Sequence, residues 1–102
     1  MKNDIDLATG IKEVVLEEIR ALARKYQVDK VILFGSRARG DYKRTSDIDL
    51  AFSGGKASSF ILDVNEETST LLKFDIVDLL KPVQTQLLET IEREGIILYE
   101  KM

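Results

Sequence analysis

The chain has 102 residues, of which 44% are hydrophobic and 32% charged, and its formal net charge is −3. These values are typical of a globular protein, and we expect one domain with no room for a second module. The chain contains no histidine and no cysteine, which excludes the usual zinc sites, histidine bases, cysteine nucleophiles and disulfides and leaves carboxylates and hydroxyl groups for any chemistry.

The N-terminal region predicts a cytoplasmic protein that begins with a helix. Met1 to Asp4 lead into no apolar segment of the kind found in secretion signals. No apolar run approaches the roughly 18 residues of a membrane span, so we expect no membrane contact. From Ile11 to Tyr26, apolar residues recur at steps of three or four between charged positions, which predicts an amphipathic helix packed on a sheet.

The next segment predicts a strand, a tight turn and a helix start. Val31 to Phe34 is a β-prone run, Gly35 suits the turn, and Ser36 stands where a helix N-cap belongs. A helix N-terminus directs free backbone N–H groups and a positive dipole end at whatever lies above it, which suits a phosphate. The same residues also fit an ordinary strand-to-helix connection with a capping serine.

A P-loop is excluded at this turn. Gly35 and Gly40 have the glycine spacing of that motif, but Asp41 and Tyr42 occupy the positions of its lysine and its serine or threonine. The lysine that would contact the β- and γ-phosphates is therefore missing, and a Walker-type ATPase is not expected.

Basic residues follow the turn at Arg37, Arg39, Lys43 and Arg44. Arg37 and Arg39 lie on the turn itself, so we interpret them as candidate nucleotide-binding residues that contact the β- and γ-phosphates. For Lys43 and Arg44, contact with phosphate or an acidic partner and a merely solvated loop are equal alternatives. The net charge of −3 argues against broad nonspecific binding to nucleic acid, which needs a basic surface.

Two aspartates begin the following predicted strand. Side chains alternate along a strand, so Asp47 and Asp49 share one face, and the other face carries Ile48, Leu50 and Phe52. The two aspartate Cα atoms would lie roughly 6.6 Å apart, and such carboxylates repel each other unless a cation neutralises them. Mg²⁺ fits best, because it is commonly held by one or two carboxylates together with substrate phosphates.

The next predicted helix runs from about Ser58 to Leu72, after a break at Ser53 to Lys56. Its spacing predicts an inward face made of Phe60, Val64, Thr68, Leu71 and Leu72. The polar residues between them are expected to be solvated.

A third strand, predicted from Lys73 to Leu80, contains two aspartates, although acidic residues are depleted in strands. Asp75 and Asp78 are three residues apart and point to opposite faces of a regular strand, so only one can join the earlier pair. We choose Asp75, because Asp78 lies at the strand end, where it can be solvated or contact the following loop.

The chain is predicted to finish with a helix and a short apolar segment. Pro82 at a helix start and Gly95 after its end predict a last helix from Pro82 to Glu94. Ile96 to Tyr99 then forms a short strand or tail.

The segments Gly35–Gly40, Ser46–Leu50 and Phe74–Leu79 together resemble the minimal nucleotidyltransferase family of the DNA polymerase β superfamily. The likeness runs from about Val31–Leu80, and Glu92–Tyr99 resembles the usual ending of that family. The resemblance implies an α/β (α+β) fold, in which helices pack on a mixed β-sheet. It implies a single nucleotidyltransferase domain over residues 1–102, with its motifs at about 31–80.

The resemblance also implies roles for individual residues. In that family the Gly-Ser turn binds the nucleoside triphosphate, the Asp-x-Asp pair binds two Mg²⁺ ions, and a carboxylate on the next strand completes the metal site. These roles fall on Gly35, Ser36, Asp47, Asp49 and Asp75. The implied reaction is attack of a hydroxyl on the α-phosphate, with ATP the expected donor and pyrophosphate released. The third carboxylate would ligate the metal that activates the hydroxyl and help to remove its proton.

Acceptor recognition is expected to come from a partner, because about 100 residues are nearly all used in building the domain. Minimal nucleotidyltransferases are commonly paired with a small helical partner of the HEPN class as antitoxin and toxin. The transferase is implicated in adding AMP to a tyrosine of that toxic ribonuclease and in binding it directly.

The partner-contact surface and the function retain alternatives. Ile97, Leu98, Tyr99 and apolar positions on the first and last helices are candidate contacts, with burial in the domain's own core as the alternative. A second hypothesis is a non-catalytic binding module that neutralises its partner by contact alone. Self-association of the chain stays open.

Overall fold

The structure is a computed structural model that describes residues 8–101 of the chain. Its helices and strands follow one another in an alternating pattern along the chain. In order, they are α1 Glu13–Lys25, β1 Lys30–Phe34, α2 Ser36–Arg39, β2 Ile48–Ser53, α3 Ala57–Glu67, β3 Phe74–Asp78, α4 Thr85–Glu94 and β4 Ile96–Glu100. None of these helices in the described part of the chain is long and apolar enough to cross a membrane.

The strands form one mixed sheet, as expected, and their order in it is β3-β2-β1-β4. β1 is antiparallel to both β2 and β4, while β2 and β3 are parallel. Parallel neighbours need a crossover, and α3 supplies it between β2 and β3. The resulting register places Asp49 opposite Asp75 on one side and opposite Phe34 on the other.

One face of the sheet is packed by α1 and α3 and holds the main core. Alternate residues of β1 and β2 are fully buried there, and they meet the apolar faces of the two helices. The Phe52 and Phe60 rings pack with their centroids 5.1 Å apart. Burying each such side chain contributes about 1.5–3 kcal/mol, so this face supplies most of the hydrophobic stabilisation.

The opposite face of the sheet is covered only in part. α4 packs Ile91 against Phe34 and Ala51, and a few partly buried residues surround this small cluster. Asp49 lies two residues before Ala51 on β2. Since residues two apart on a strand share a face, Asp49 lies on this second face as well. The uncovered part of the face is where the candidate site lies.

The helix α3 ends at Glu67, earlier than the periodicity predicts. Thr68 has extended backbone angles, and its Oγ1 donates to the Val64 carbonyl at 2.8 Å. The backbone N–H and the hydroxyl of Ser69 then donate to the Glu18 carboxylate of α1 at 2.7 and 2.6 Å. These bonds divert the chain from the helix, and Leu71, which was predicted to point inward, is fully exposed.

The last helix begins later than predicted, and the apolar segment after it forms a strand, which is one of the two expected alternatives. α4 begins at Thr85, so Pro82 lies in the preceding loop and does not start the helix. Ile96–Glu100 is an edge strand paired with β1. Among the candidate partner contacts, the prediction for Leu98 is wrong, because Leu98 is buried in the main core with 4% of its surface exposed. Ile97, in contrast, is 51% exposed.

Candidate active site

The Gly-Ser turn is held directly against the second aspartate of the Asp-x-Asp pair. Gly35 has φ +78°, a value that glycine adopts readily and other residues rarely do. A Cβ atom built on Gly35 would lie 2.1 Å from Asp49 Oδ2, which is far inside van der Waals contact. Only glycine therefore lets the turn and this carboxylate lie side by side.

The helix that follows the turn begins one residue earlier than predicted. Gly35 is the N-cap of α2, and its carbonyl accepts from the backbone N–H groups of Ala38 and Arg39 at 3.1 and 3.0 Å. Ser36 is the first helical residue, so the prediction of Ser36 as the N-cap is wrong. The first N–H groups of a helix have no partner within it, so the turn still offers donors beside Asp49.

The three predicted carboxylates lie around the end of β2. Asp49 is half-buried in β2, Asp75 is the exposed residue opposite it in β3, and exposed Asp47 immediately precedes β2. The pKa of Asp49 is raised from 3.8 to about 6, mainly by burial and further by the negative charges of Asp75 and Asp47. The positive charge of Arg39 acts in the opposite direction. The raised pKa thus reflects a partly buried carboxylate beside two others.

The donor set fits Mg²⁺ bound jointly by protein and nucleotide. Among residues 8–101, no three acidic side chains converge closely enough to form a complete metal cage. Mg²⁺ does not need one, since it usually takes one or two carboxylates and completes its shell with water and substrate phosphates. A cation beside Asp49 would also relieve the repulsion that raises the pKa of this group. The one or two carboxylates that would hold it come from Asp47, Asp49 and Asp75.

Arg37 differs from its predicted role. It is 2% exposed, and its guanidinium donates to the carbonyls of Thr9 at 2.9 Å and Ser46 at 3.0 Å. Two further bonds run to the carbonyls of Lys43 and Arg44, at 3.4 and 3.2 Å. A guanidinium committed to four carbonyls is not available to a phosphate, so the assignment of Arg37 as a nucleotide-binding residue is corrected.

Instead, Arg37 secures the loop that carries Asp47. The Ser46 carbonyl that it binds belongs to the residue just before Asp47. The Tyr42 ring covers the guanidinium at 4.8 Å and packs on Gly10, where a Cβ atom would lie 2.6 Å from Tyr42 Cε2. Sequence reasoning missed this role of Arg37 and Tyr42. One signal was present, because residues two apart on a helix face different directions and Arg37 and Arg39 could not both face a ligand.

Arg39, in contrast, is placed at the surface near the carboxylates. Its side chain is 43% exposed and pairs with Asp41 and Glu94, each at 3.2 Å. These bonds raise the pKa of Arg39, with Asp41 the larger cause. The charge of Arg39 also lowers the pKa of Asp49, and of the two arginines of α2 it is the one whose side chain is exposed.

Two depressions of the surface differ in their relation to this site. A groove of about 550 Å³ beside α4 is lined by Lys30, Ile32, Leu79 and Leu88, at the ends of β1 and β2 remote from Asp49. A smaller depression of about 320 Å³ includes Asp47 in its wall. Only the second adjoins the carboxylates.

A sheet that presents carboxylates beside a helix-initiating Gly-Ser turn is the arrangement of a nucleotidyltransferase domain. The family model described as polymerase beta nucleotidyltransferase matches residues 17–102. The chain belongs to this family, which confirms the fold and the family expected from the sequence.

Curated relatives of the chain share one name. Two proteins of Methanocaldococcus jannaschii, each named "putative protein adenylyltransferase", are similar to the chain. The first is 40% identical over 68 residues, which is 65% of this chain and 66% of that protein. The second is 38% identical over 50 residues, which is 49% of this chain and 58% of that protein. The match spans less than two thirds of either relative.

Solved structures share the fold. A crystal structure of a toxin–antitoxin with AMP-PNP aligns with a TM-score of 0.64 at 24% identity, covering 85% of this chain and 74% of that one. A nucleotidyltransferase structure from Sulfolobus solfataricus, itself described as "putative", aligns with a TM-score of 0.55 at 24% identity, covering 98% and 91%. At these identities the likeness shows the fold alone.

Proposed function

We propose that the chain is a magnesium-dependent nucleotidyltransferase that moves AMP from ATP to a hydroxyl group of a protein. The observation that carries the proposal is the direct contact between Gly35 of the turn and the Asp49 carboxylate. This contact puts the helix start that we propose to bind phosphate beside the carboxylate that we propose to bind the metal. The curated relatives named as protein adenylyltransferases support the donor and the class of acceptor.

The proposed reaction joins the acceptor oxygen to the α-phosphorus and breaks the bond to pyrophosphate. Backbone N–H groups at Gly35 and Ser36 bind the triphosphate, and Arg39 exchanges its carboxylate partners for the β- and γ-phosphates. Bound Mg²⁺ would neutralise the charge on the attacking and leaving oxygens. Asp75, exposed on β3, accepts the proton that the hydroxyl loses.

The acceptor that we propose is a tyrosine of a HEPN-type toxin, for which the chain is the antitoxin. The structural neighbours solved as toxin–antitoxin complexes, one with a nucleotide analogue, support this assignment. A purely binding antitoxin gains nothing from the cluster at Asp49, where burial and like charges make ionisation unfavourable. The catalytic proposal accounts for the cluster, because a bound cation and nucleotide would use it.

Label transfer tests the proposal. The chain is incubated with α-labelled ATP, Mg²⁺ and the protein encoded by its neighbouring gene, and label in that protein is measured. We expect Asp47→Asn and Asp49→Asn each to reduce transfer at least about 100-fold, since each removes a charged metal ligand.

The matched control is Asp78→Asn on β3. Asp78 accepts a hydrogen bond from the Leu80 backbone N–H at 3.0 Å through Oδ1, an atom that asparagine keeps. This variant should transfer label at the wild-type rate. Undiminished transfer by Asp47→Asn and Asp49→Asn would reject the site, and wild-type neutralisation of a toxin by both would favour the binding module.

A further inference from the structure

A groove that the proposed reaction has not used runs from Asp47 along the segment before β3. One depression of about 320 Å³ is lined by Thr45, Asp47, Leu71, Leu72 and Lys73. A second, of about 480 Å³, has Leu71 and Leu72 in its wall as well and extends to Lys12 and Arg44. The two depressions therefore adjoin each other at Leu71 and Leu72, and we call them together the Leu71 groove.

The rim of the Leu71 groove is positive. Lys12, Arg44 and Lys73 are exposed, and none of the three forms a salt bridge with any residue between 8 and 101. Asp47 is the one acidic residue among those that line the groove. In a chain of net charge −3, three unneutralised cations around one groove create a local attraction for acidic groups.

Leu71 gives the groove an apolar contact point. Its side chain is 103% exposed, which is the highest value among the exposed large hydrophobic residues of the described chain. The segment around it is fixed, because Ser69 binds Glu18 and the Leu72 backbone N–H donates to Thr70 Oγ1 at 3.1 Å. Leu72 is partly buried against the main core. Leu71 is thus presented to solvent on an anchored segment.

The Asp47 end of the groove lies next to the β3 side of the carboxylates. The turn at Gly35 follows β1 and contacts Asp49 of β2 from that side. β3 lies on the other side of β2, at an edge of the sheet. The groove segment leads into β3, and the Lys73 carbonyl accepts from the Ile48 backbone N–H at 2.8 Å. An in-line displacement needs the acceptor and the leaving pyrophosphate on opposite sides of the α-phosphorus. With pyrophosphate at the turn, the acceptor side is the β3 side.

We infer that the Leu71 groove binds the acceptor segment of the substrate protein, and that this segment is acidic with an apolar residue that covers Leu71. The inference rests on the proposed function and adds the chemistry of the acceptor. Cations at Lys12, Arg44 and Lys73 contact the acidic side chains, while the acceptor hydroxyl reaches the α-phosphate beside Asp47.

Peptide binding tests this inference without requiring transfer. The probe is a fluorescent peptide with one tyrosine, flanking glutamates and one leucine, titrated with the full chain in Mg²⁺ and a nonhydrolysable ATP analogue. The triple variant Lys12→Gln, Arg44→Gln, Lys73→Gln should weaken binding at least about tenfold, and added salt should weaken wild-type binding. Leu71→Ser should weaken it about threefold or more, because apolar contact area is lost.

Two control variants match these changes outside the groove. Lys81→Gln removes an exposed cation beyond the far end of β3, and Leu80→Ser removes a leucine that is 73% exposed. Both should bind the peptide like the wild type.

Two further probes separate the acidic peptide from other occupants. A peptide with lysines in place of the glutamates should bind at least about tenfold more weakly, and a single-stranded oligonucleotide should not compete. Equal binding of both peptides, failure of the acidic peptide to bind at millimolar concentration, or competition by the oligonucleotide would each overturn the inference. Loss of AMP transfer with peptide binding intact would instead count against the proposed function alone.

Discussion

At the scale of single residues, the contact between Gly35 and Asp49 carries the most information about function. The positive φ of Gly35 and the short distance from its hypothetical Cβ to the carboxylate are independent reasons for glycine. A strand-to-helix connection with no ligand would have no need to pack a carboxylate on the turn. The contact is therefore the observation on which the proposed nucleotide site rests.

Replacing this glycine should damage the site more than the fold. Gly35→Ala places a Cβ atom against Asp49 Oδ2, so we expect transfer to fall at least about 100-fold and the free energy of unfolding to fall by about 1–3 kcal/mol. Urea unfolding and label transfer measure the two effects. Gly40→Ala is the control, because Gly40 also has positive φ, +93°, but has open space where its Cβ would lie.

Both variants should show the backbone strain, and only Gly35→Ala should lose activity. If Gly35→Ala transferred label as well as Gly40→Ala, the contact with Asp49 would have no functional meaning.

Because the pKa of Asp49 is raised, we expect Asp49→Asn to increase the free energy of unfolding by an amount that depends on pH. The native-state pKa is about 6 against an ordinary value of 3.8, so the native state prefers the protonated carboxyl. The contribution of Asp49 to the free energy of unfolding is therefore fully present below pH 3.8, and it is lost as the pH rises through about 6. Without added Mg²⁺, Asp49→Asn should exceed the wild type by about 1–2 kcal/mol at pH 8, a figure reduced for partial exposure.

Urea unfolding of both proteins across the pH range measures this difference. The gain from Asp49→Asn should vanish near pH 3.5 and grow between pH 4 and 6, because only the wild type ionises there. A gain that is equal at pH 4 and pH 8 would show that Asp49 is not electrostatically strained.

The residue-scale lesson concerns the two arginines of the turn. Helical geometry indicates that Arg37 and Arg39 face different directions, but it does not say which one is buried. That choice is made by residues 40–47, whose carbonyls fold over Arg37. The positions of carbonyl groups in an irregular loop leave no signature in the side-chain pattern, so both arginines were predicted to bind the nucleotide.

At the scale of elements, the loop between α2 and β2 depends on Arg37. Replacing Arg37 should therefore lower stability, whereas replacing Arg39 should lower nucleotide affinity. Arg37→Met leaves loop carbonyls without donors and should reduce the free energy of unfolding by about 2–4 kcal/mol. Arg39→Met removes ion pairs of a solvent-exposed guanidinium and should leave the free energy of unfolding close to that of the wild type.

Nucleotide affinity, measured by titration with an ATP analogue, gives the complementary result. At a temperature where both variants are folded, Arg39→Met should bind the analogue about tenfold more weakly, because a phosphate contact is lost. Comparable stability losses in the two variants would contradict the assignment of Arg37 to the loop and Arg39 to the ligand.

The helix α3 shows why element ends resist prediction. The apolar spacing continues through Leu71 and Leu72, so the local pattern favours a longer helix. The helix ends because Ser69 bonds to Glu18, a residue 51 positions away. A partner so distant in sequence leaves no trace in local periodicity. The early end is also what exposes Leu71.

At the scale of the whole molecule, the two faces of the sheet divide stability from function. α1 and α3 bury one face almost completely, whereas α4 covers only part of the other and leaves Asp49 accessible. Strand alternation predicted this division from the sequence, since the aspartates and the apolar residues of β2 occupy different positions of the period. Strand order was not predictable in this way, yet it brings Asp75 opposite Asp49.

Magnesium-dependent nucleotide binding tests the central claim most directly. Calorimetric titration of a nonhydrolysable ATP analogue into the full chain, with Mg²⁺ and then with a chelator, should give at least about tenfold tighter binding with the metal. The double variant Asp47→Asn, Asp49→Asn should lose this enhancement, and Asp78→Asn should keep it. Equal affinity with Mg²⁺ and with the chelator would contradict the account of the turn and the carboxylates as one site.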